Sequence, residues 1–293
     1  APLPQRKEKI ISWTEAREIV TSAYTRFDAR MEKLIVPFFE KGWIDAGIKP
    51  GKAPGAFSHP TVTDIHPYIL LNYQGKQRDV MTLAHELGHG VHQMLSSSQG
   101  EILSRTPLTL AETASVFGEM LTFQSMLSST DNEASRKNLL ASKVEDMINT
   151  VIRQISFYDF ECRLHSKRQN GELKPDQIGQ IWLDVSRESL GPSFKFMAGY
   201  ENFWAYVPHF IHSPFYVYAY AFGDGLVNAL YARYKSGSED FENKYFSLLS
   251  SGGSKHHSQL LKPFNLDASD PKFWSEGLNL ISSMVTELED LES

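Results

Sequence analysis

Cysteine is almost missing from this chain: Cys162 is the single one in 293 residues. One thiol excludes an internal disulfide framework and fits a reducing, cytoplasmic setting. Long hydrophobic runs are also missing, and no stretch approaches the ~18 apolar residues of a membrane span. The opening Ala1-Pro2-Leu3-Pro4 does not read as a signal peptide. No membrane partner is expected. Positive charge is in deficit, with 29 Lys and Arg against 35 Asp and Glu, a net charge of −6. That balance argues against nucleic acid or an anionic membrane as the main partner. Internal repeats, low-complexity tracts and long linkers are absent.

What is present is enough to fold. Apolar residues make up 41% and aromatics 12% of the chain, sufficient for a sizeable core. Length allows two domains, but the chain reads as one mainly α domain over 1–293. Helical periodicity predicts one helix over 13–40, N-capped by Thr14, then a turn-rich stretch over 42–58. The strand predicted over 66–73 ends at Gln74-Gly75. Further helices are expected over 77–95, 108–127 (Thr109 as N-cap, Glu112 at its third position), 132–166 and 176–190. A polar loop is expected over 96–107 and an irregular aromatic stretch over 191–212. Ser213-Pro214 is read as opening a helix to Tyr234, and two more helices are expected over 239–249 and 270–291.

The chemistry centres on Thr82-Leu83-Ala84-His85-Glu86-Leu87-Gly88-His89-Gly90. At 3.6 residues per turn, His85 and His89 stack on one face and can share a metal. Glu86 lies roughly 60° round from His89, within reach of a water on that metal without ligating it. Leu83, Leu87, Val91, Met94 and Leu95 fall on the opposite side and read as the buried face. Two imidazoles and a carboxylate base are what zinc-assisted hydrolysis needs. Gly88 and Gly90 leave room for another backbone or a substrate to approach.

A zinc site needs a third protein ligand and an open position for water. The next helix offers Glu112 in Leu110-Ala111-Glu112-Thr113-Ala114-Ser115-Val116-Phe117-Gly118-Glu119. Glu112 and Glu119 lie opposite the apolar residues of that helix, while Ala111, Ala114 and Gly118 would allow close packing on the HELGH helix. Helix capping alone is the other reading of Glu112. Glu119 reads as an outer partner of a ligand histidine. His92 shares the histidine stripe, but a fourth protein ligand would close the catalytic position.

These residues are joined by GKAPGAFS (51–58) and HPYILLNY (66–73) upstream and by VPHFIHSPFYVYAYAFG (207–223) downstream. In that order they resemble the oligoendopeptidase F branch of the thimet oligopeptidase family. The resemblance implies a helical zincin-type metallopeptidase catalytic domain with a small β-sheet beside the zinc helix. It implies one Zn2+ held by His85, His89 and Glu112, with Glu86 as general base. It also implies short unstructured oligopeptides as substrates, bound in a deep channel. Within 204–218 it implies that His and Tyr side chains hold substrate and oxyanion. His209, His212, Tyr216 and Tyr218 are the candidates, with their individual roles open. Such enzymes are roughly twice this length, so the chain reads as a C-terminal catalytic part or a shortened relative. An apolar patch beside the ligands is then expected, exposed or covered by a missing N-terminal domain or by homo-oligomerisation. A related helical zinc carboxypeptidase and an inactive zinc-containing peptide-binding fragment are the competing functions.

Overall fold

The computed structural model describes residues 10–291. The stretch expected as one helix over 13–40 is broken at Asp28. Its extended backbone (φ −162°, ψ 134°) ends α1 (Trp13–Phe27), and its carboxylate accepts from Arg30 N to open α2 (Ala29–Glu40). An acid that can satisfy a free helix N–H competes with helix continuation, and here it prevails. Ser12, not Thr14, caps α1, with its hydroxyl accepting from Glu15 N.

The sheet comprises β1 (Ile44–Asp45), β2 (Phe57–His59) and β3 (Tyr68–Leu70) in the order β1-β3-β2. β1 runs parallel to β3, and β2 runs antiparallel with Ser58 opposite Ile69. The strand expected over 66–73 is thus shorter as a ladder. Its extended path persists, because Leu71 N and Tyr73 N still donate to the carbonyls of Asp45 and Ala46. The turn-rich stretch before it is pinned by Lys52, whose ammonium donates to the carbonyls of Asp45, Gly47 and Leu71 at 2.8–2.9 Å.

The HELGH segment lies on α3 (Gln77–Ser96). The Asp79 carboxylate starts it by accepting from the N–H groups of Gln74 and Lys76. The sheet sits beside α3 through Ser58, whose hydroxyl donates to Gln93 Oε1 while Gln93 Nε2 donates to the Ser58 carbonyl. The loop expected over 96–107 contains a 3-10 turn and the short α4 (Gly100–Leu103). The helix expected over 108–127 is interrupted. α5 (Leu108–Ala111) stops at Glu112 (φ −82°, ψ 0°), and α6 (Ser115–Ser128) follows, with Pro107 rather than Thr109 at the entry.

The long helix expected over 132–166 is present, N-capped by Asn132, but contains a π-helical turn at Asn149–Arg153 between α7 (Glu133–Ile148) and α8 (Gln154–Arg168). α9 (Pro175–Leu190) has Pro175 in its first turn, as expected. A 3-10 stretch (Tyr200–Tyr206) leads to α10 (His209–His212). Ser213-Pro214 does not open the next helix: Ser213 has φ −147° and Phe215 is left-handed at φ 60°. α11 therefore runs from Tyr218 to Lys235. α12 (Phe241–Ser250), α13 (His257–Leu261) and α14 (Pro271–Asp290, capped by Asp270) complete a mainly α chain.

Two apolar cores form. The larger joins α1, α2, α3, α6, α7, α11, α12 and α14 through residues such as Tyr24, Leu83, Phe117, Leu140, Leu230 and Tyr245. The smaller joins α8, α9 and the approach to α11 through Phe157, Phe160, Trp182 and Val217. Among the described residues no helix is long and apolar enough to cross a membrane.

Candidate metal centre

The apolar face of α3 (Val80, Leu83, Ala84, Leu87, Val91) is buried, which fixes the rotation of the helix and turns His85 and His89 outward together. Their Nε2 atoms lie 3.1 Å apart. Glu112 Oε2 is 3.4 Å from His85 Nε2 and 3.5 Å from His89 Nε2. Tetrahedral ligands at ~2.0–2.1 Å from a zinc ion stand about 3.3–3.4 Å from one another. The three edges bracket that figure, and two nitrogens with one carboxylate oxygen are a fitting donor set. Among the described residues these three form the one His/Cys/Asp/Glu group close enough for a metal ion.

Glu112 reaches this position because α5 and α6 are broken around it. Ser115 Oγ donates to Glu112 Oε2 at 2.7 Å and to its carbonyl at 3.2 Å, fixing the carboxylate. Two glycines allow the close approach. A Cβ on Gly88 would stand 2.6 Å from Ser115 Cα, so α3 and the start of α6 touch backbone to backbone. A Cβ on Gly223 of α11 would lie 2.9 Å from Glu112 Cβ.

Behind this three-residue group, Glu119 Oε1 lies 2.5 Å from His85 Nδ1, and Lys143 Nζ stands 3.8 Å from Glu119 Oε2. Burial works against a charge on His85, but the hydrogen bond to Glu119 and the surrounding carboxylates outweigh it and raise its pKa to about 9. Burial and the neighbouring His85 charge lower His89 to about 4. Glu86 is 5% exposed, and burial lifts its pKa to about 7, with the Glu112 and Glu119 charges adding to the effect and His85 opposing it. Its Oε2 is buried without a hydrogen-bond partner. A buried carboxylate oxygen without a partner is unusual, because unpaired buried polar atoms are costly. His92 is not in the three-atom group; it is buried, and its Nε2 lies 3.2 Å from Thr106 Oγ1.

A cavity of about 580 Å³ opens on the His85 side, lined by His85, Glu86, Glu112, Glu119 and Tyr220 among others. A second, of about 440 Å³, opens on the His89 side beneath residues 60–67. His209 and Tyr216 approach the first. His209 Nε2 is 3.3 Å from Tyr220 OH, the Tyr216 and Tyr220 rings are 5.3 Å apart, and the charge of Glu112 reaches both phenols. Burial raises both phenol pKa values, Tyr220 to about 12, so both remain donors at neutral pH. His212 is exposed on α10, and Tyr218 turns to Tyr158 at 5.6 Å between ring centres. Tyr220 was not among the sequence candidates. Its signal, a tyrosine two places beyond Tyr218, is readable only once the kink at Phe215 is known. Ile148, Ile152, Ile155, Tyr158 and Tyr218 are exposed, on α7, the π-helical turn, α8 and the start of α11.

Known proteins resemble this chain in sequence and fold. Oligopeptidase PepF of Bacillus subtilis is 26% identical over 292 residues, covering 99% of this chain and 43% of the relative. Chromosomal oligoendopeptidase F of Lactococcus lactis subsp. cremoris is 27% identical over 282 residues, covering 96% of this chain and 46% of the relative. The chain thus spans less than half the length of these relatives. A crystal structure described as a peptidase of Chlamydophila abortus superposes with a TM-score of 0.85 at 28% identity, over 97% of this chain and 48% of that one. Peptidase family M3 matches residues 21–280, nearly the whole described fold, and the chain belongs to that family.

Proposed function

We propose that this chain is the catalytic part of a zinc-dependent endopeptidase that hydrolyses peptide bonds in short unstructured oligopeptides. The observation that carries the reading is the convergence of His85 Nε2, His89 Nε2 and Glu112 Oε2, with Glu86 on the wall of the same cavity. Substrate class follows the names of the relatives, an oligopeptidase and an oligoendopeptidase. The single thiol agrees with a cytoplasmic location.

His85, His89 and Glu112 would hold one Zn2+. When bound, zinc supplies Lewis acidity, bringing the pKa of water toward ~7 and polarising a carbonyl. Glu86 takes the proton of the attacking water and passes it to the departing amine nitrogen. Tyr216, Tyr220 and His209 donate hydrogen bonds to the carbonyl oxygen as its charge grows. No covalent acyl-enzyme is needed, since the nucleophile is water. In a longer peptidase, further chain covers the exposed apolar face along α8 and forms the opposite wall of the channel.

The test pairs metal analysis with mass spectrometry of digested peptides. Glu86→Gln should keep zinc and lose turnover by roughly 10²–10⁴-fold, while His85→Ala and His89→Ala should lose zinc. Stoichiometric zinc in both histidine variants would refute the ligand set. Equal peptide binding without turnover by wild type and Glu86→Gln would make the chain a binding module. Cleavage abolished by amidating the peptide C-terminus would make it a carboxypeptidase.

A further inference from the structure

The cavity wall behind His85 carries a cation that the proposed reaction does not use. Lys143 comes from α7, which supplies no metal-type ligand, and it is 7% exposed. Burying a lysine is costly unless opposite charge surrounds it. Three carboxylates do so from three helices: Glu119 of α6, Asp146 of α7 itself and Asp224 of α11. Two of them also have other partners. Asp224 Oδ2 accepts from Asn228 Nδ2 at 2.8 Å, and Arg78 shares the charge of Asp146. Glu119 is different, because its two oxygens face different partners: Oε1 the imidazole of His85 and Oε2 the ammonium of Lys143.

A ligand histidine is oriented by what its second nitrogen bonds, and such outer contacts govern metal affinity. A carboxylate bonded at one oxygen only is free to rotate about its own axis and to recoil from its neighbours. Glu119 has Glu86 and Glu112 as like charges around the same histidine pair, so repulsion favours such recoil. An ammonium on the far oxygen opposes both motions.

We propose, resting on the zinc reading above, that Lys143 is a positioning residue: its ammonium holds the Glu119 carboxylate, and through it the His85 ring, in the orientation that presents Nε2 to the metal. The effect runs through Glu119, and removing Glu119's charge removes it.

The experiment measures zinc affinity by chelator competition on the whole chain, with circular dichroism as the check on folding. Lys143→Met should weaken zinc binding about 10–100-fold. In a Glu119→Gln background the same change should add less than about a factor of two, since contacting residues on one path are not additive. If Lys143→Met does not fold, Lys143→Gln takes its place with the same expectation. Wild-type affinity in the single variant, or a full additional loss in the Glu119→Gln background, overturns the role. A raised KM with unchanged zinc affinity also overturns it and assigns Lys143 to substrate contact. Failure of the wild-type chain to bind zinc would remove the metal reading together with this one; a zinc-binding wild type with an indifferent Lys143→Met removes this one alone.

Discussion

The two halves of the candidate site are built in opposite ways. On α3, both histidines and Glu86 sit within five consecutive residues of an unbroken helix, and the buried apolar face fixes where they point. Along 209–220, His209, Tyr216 and Tyr220 come from a four-residue helix, an irregular link and the first turn of α11. There the backbone direction is set by Phe215 at φ 60° and not by any repeat. Helical arithmetic assigns directions in the first half, whereas in the second only the tertiary path does.

The sharpest way to break this contrast is to compare two tyrosines separated by two positions. Tyr220→Phe should lower kcat by roughly 10²–10³-fold with zinc content unchanged, the usual cost of one oxyanion donor. Tyr218→Phe, packed on Tyr158, should stay within a few-fold. Equal effects in steady-state peptide cleavage would mean that the link holds the tyrosines differently in the working enzyme.

The regular half can be stressed through its closest contact. Gly88→Ala places a Cβ against the backbone of Ala114 and Ser115. Denaturant unfolding should show a loss of about 1–3 kcal/mol from overpacking, with weaker zinc binding as α6 and Glu112 are pushed away. Unchanged stability would show that the two helices can separate freely.

The smallest expected effect lies away from the site. Asp28→Ala removes the cap of α2 and should cost about 1 kcal/mol without altering zinc affinity. The hydrogen bond from Arg30 holds the Asp28 carboxyl below its ordinary value of 3.8. Its stabilising contribution is therefore full above pH 3.8 and fades as pH falls through the lower folded value. Thermal melts of wild type and variant should converge in that acid range.

How much was legible follows the same division. The mainly α class, the buried stripe of α3 and the helix starts near 132 and 270 are local patterns, and the structure repeats them. Glu112 was visible as a residue, but the interruption that frees it was not. Its cause is packing: Gly88 draws α3 onto Ser115, and Gly223 draws α11 onto Glu112. The motif around Gly51 and Lys52 looked like turn punctuation, while Lys52 in fact ties three strand and loop carbonyls together. Lysine spacing carries no sign of such a task. Asp28 could have been read as a cap, since an acid ahead of a good helix former is such a signal.

The π-helical turn at Asn149–Arg153 has a consequence for phase. Lys143, Asp146, Met147 and Thr150 follow one another at helical spacing and all line the cavity of His85. Val144 and Val151 are buried in the larger core, yet Tyr158, next on that seven-residue count, is 38% exposed. Past the turn, Phe157 and Phe160 belong to the smaller core instead. The wider turn works as a vernier between two mismatched scales: a single helical path keeps step with the metal group on one side of it and with the aromatic cluster on the other. Deleting one residue there would be absorbed as the wide turn closes to an ordinary α-helical one, whereas the same deletion within α8 would rotate everything beyond it by roughly 100°.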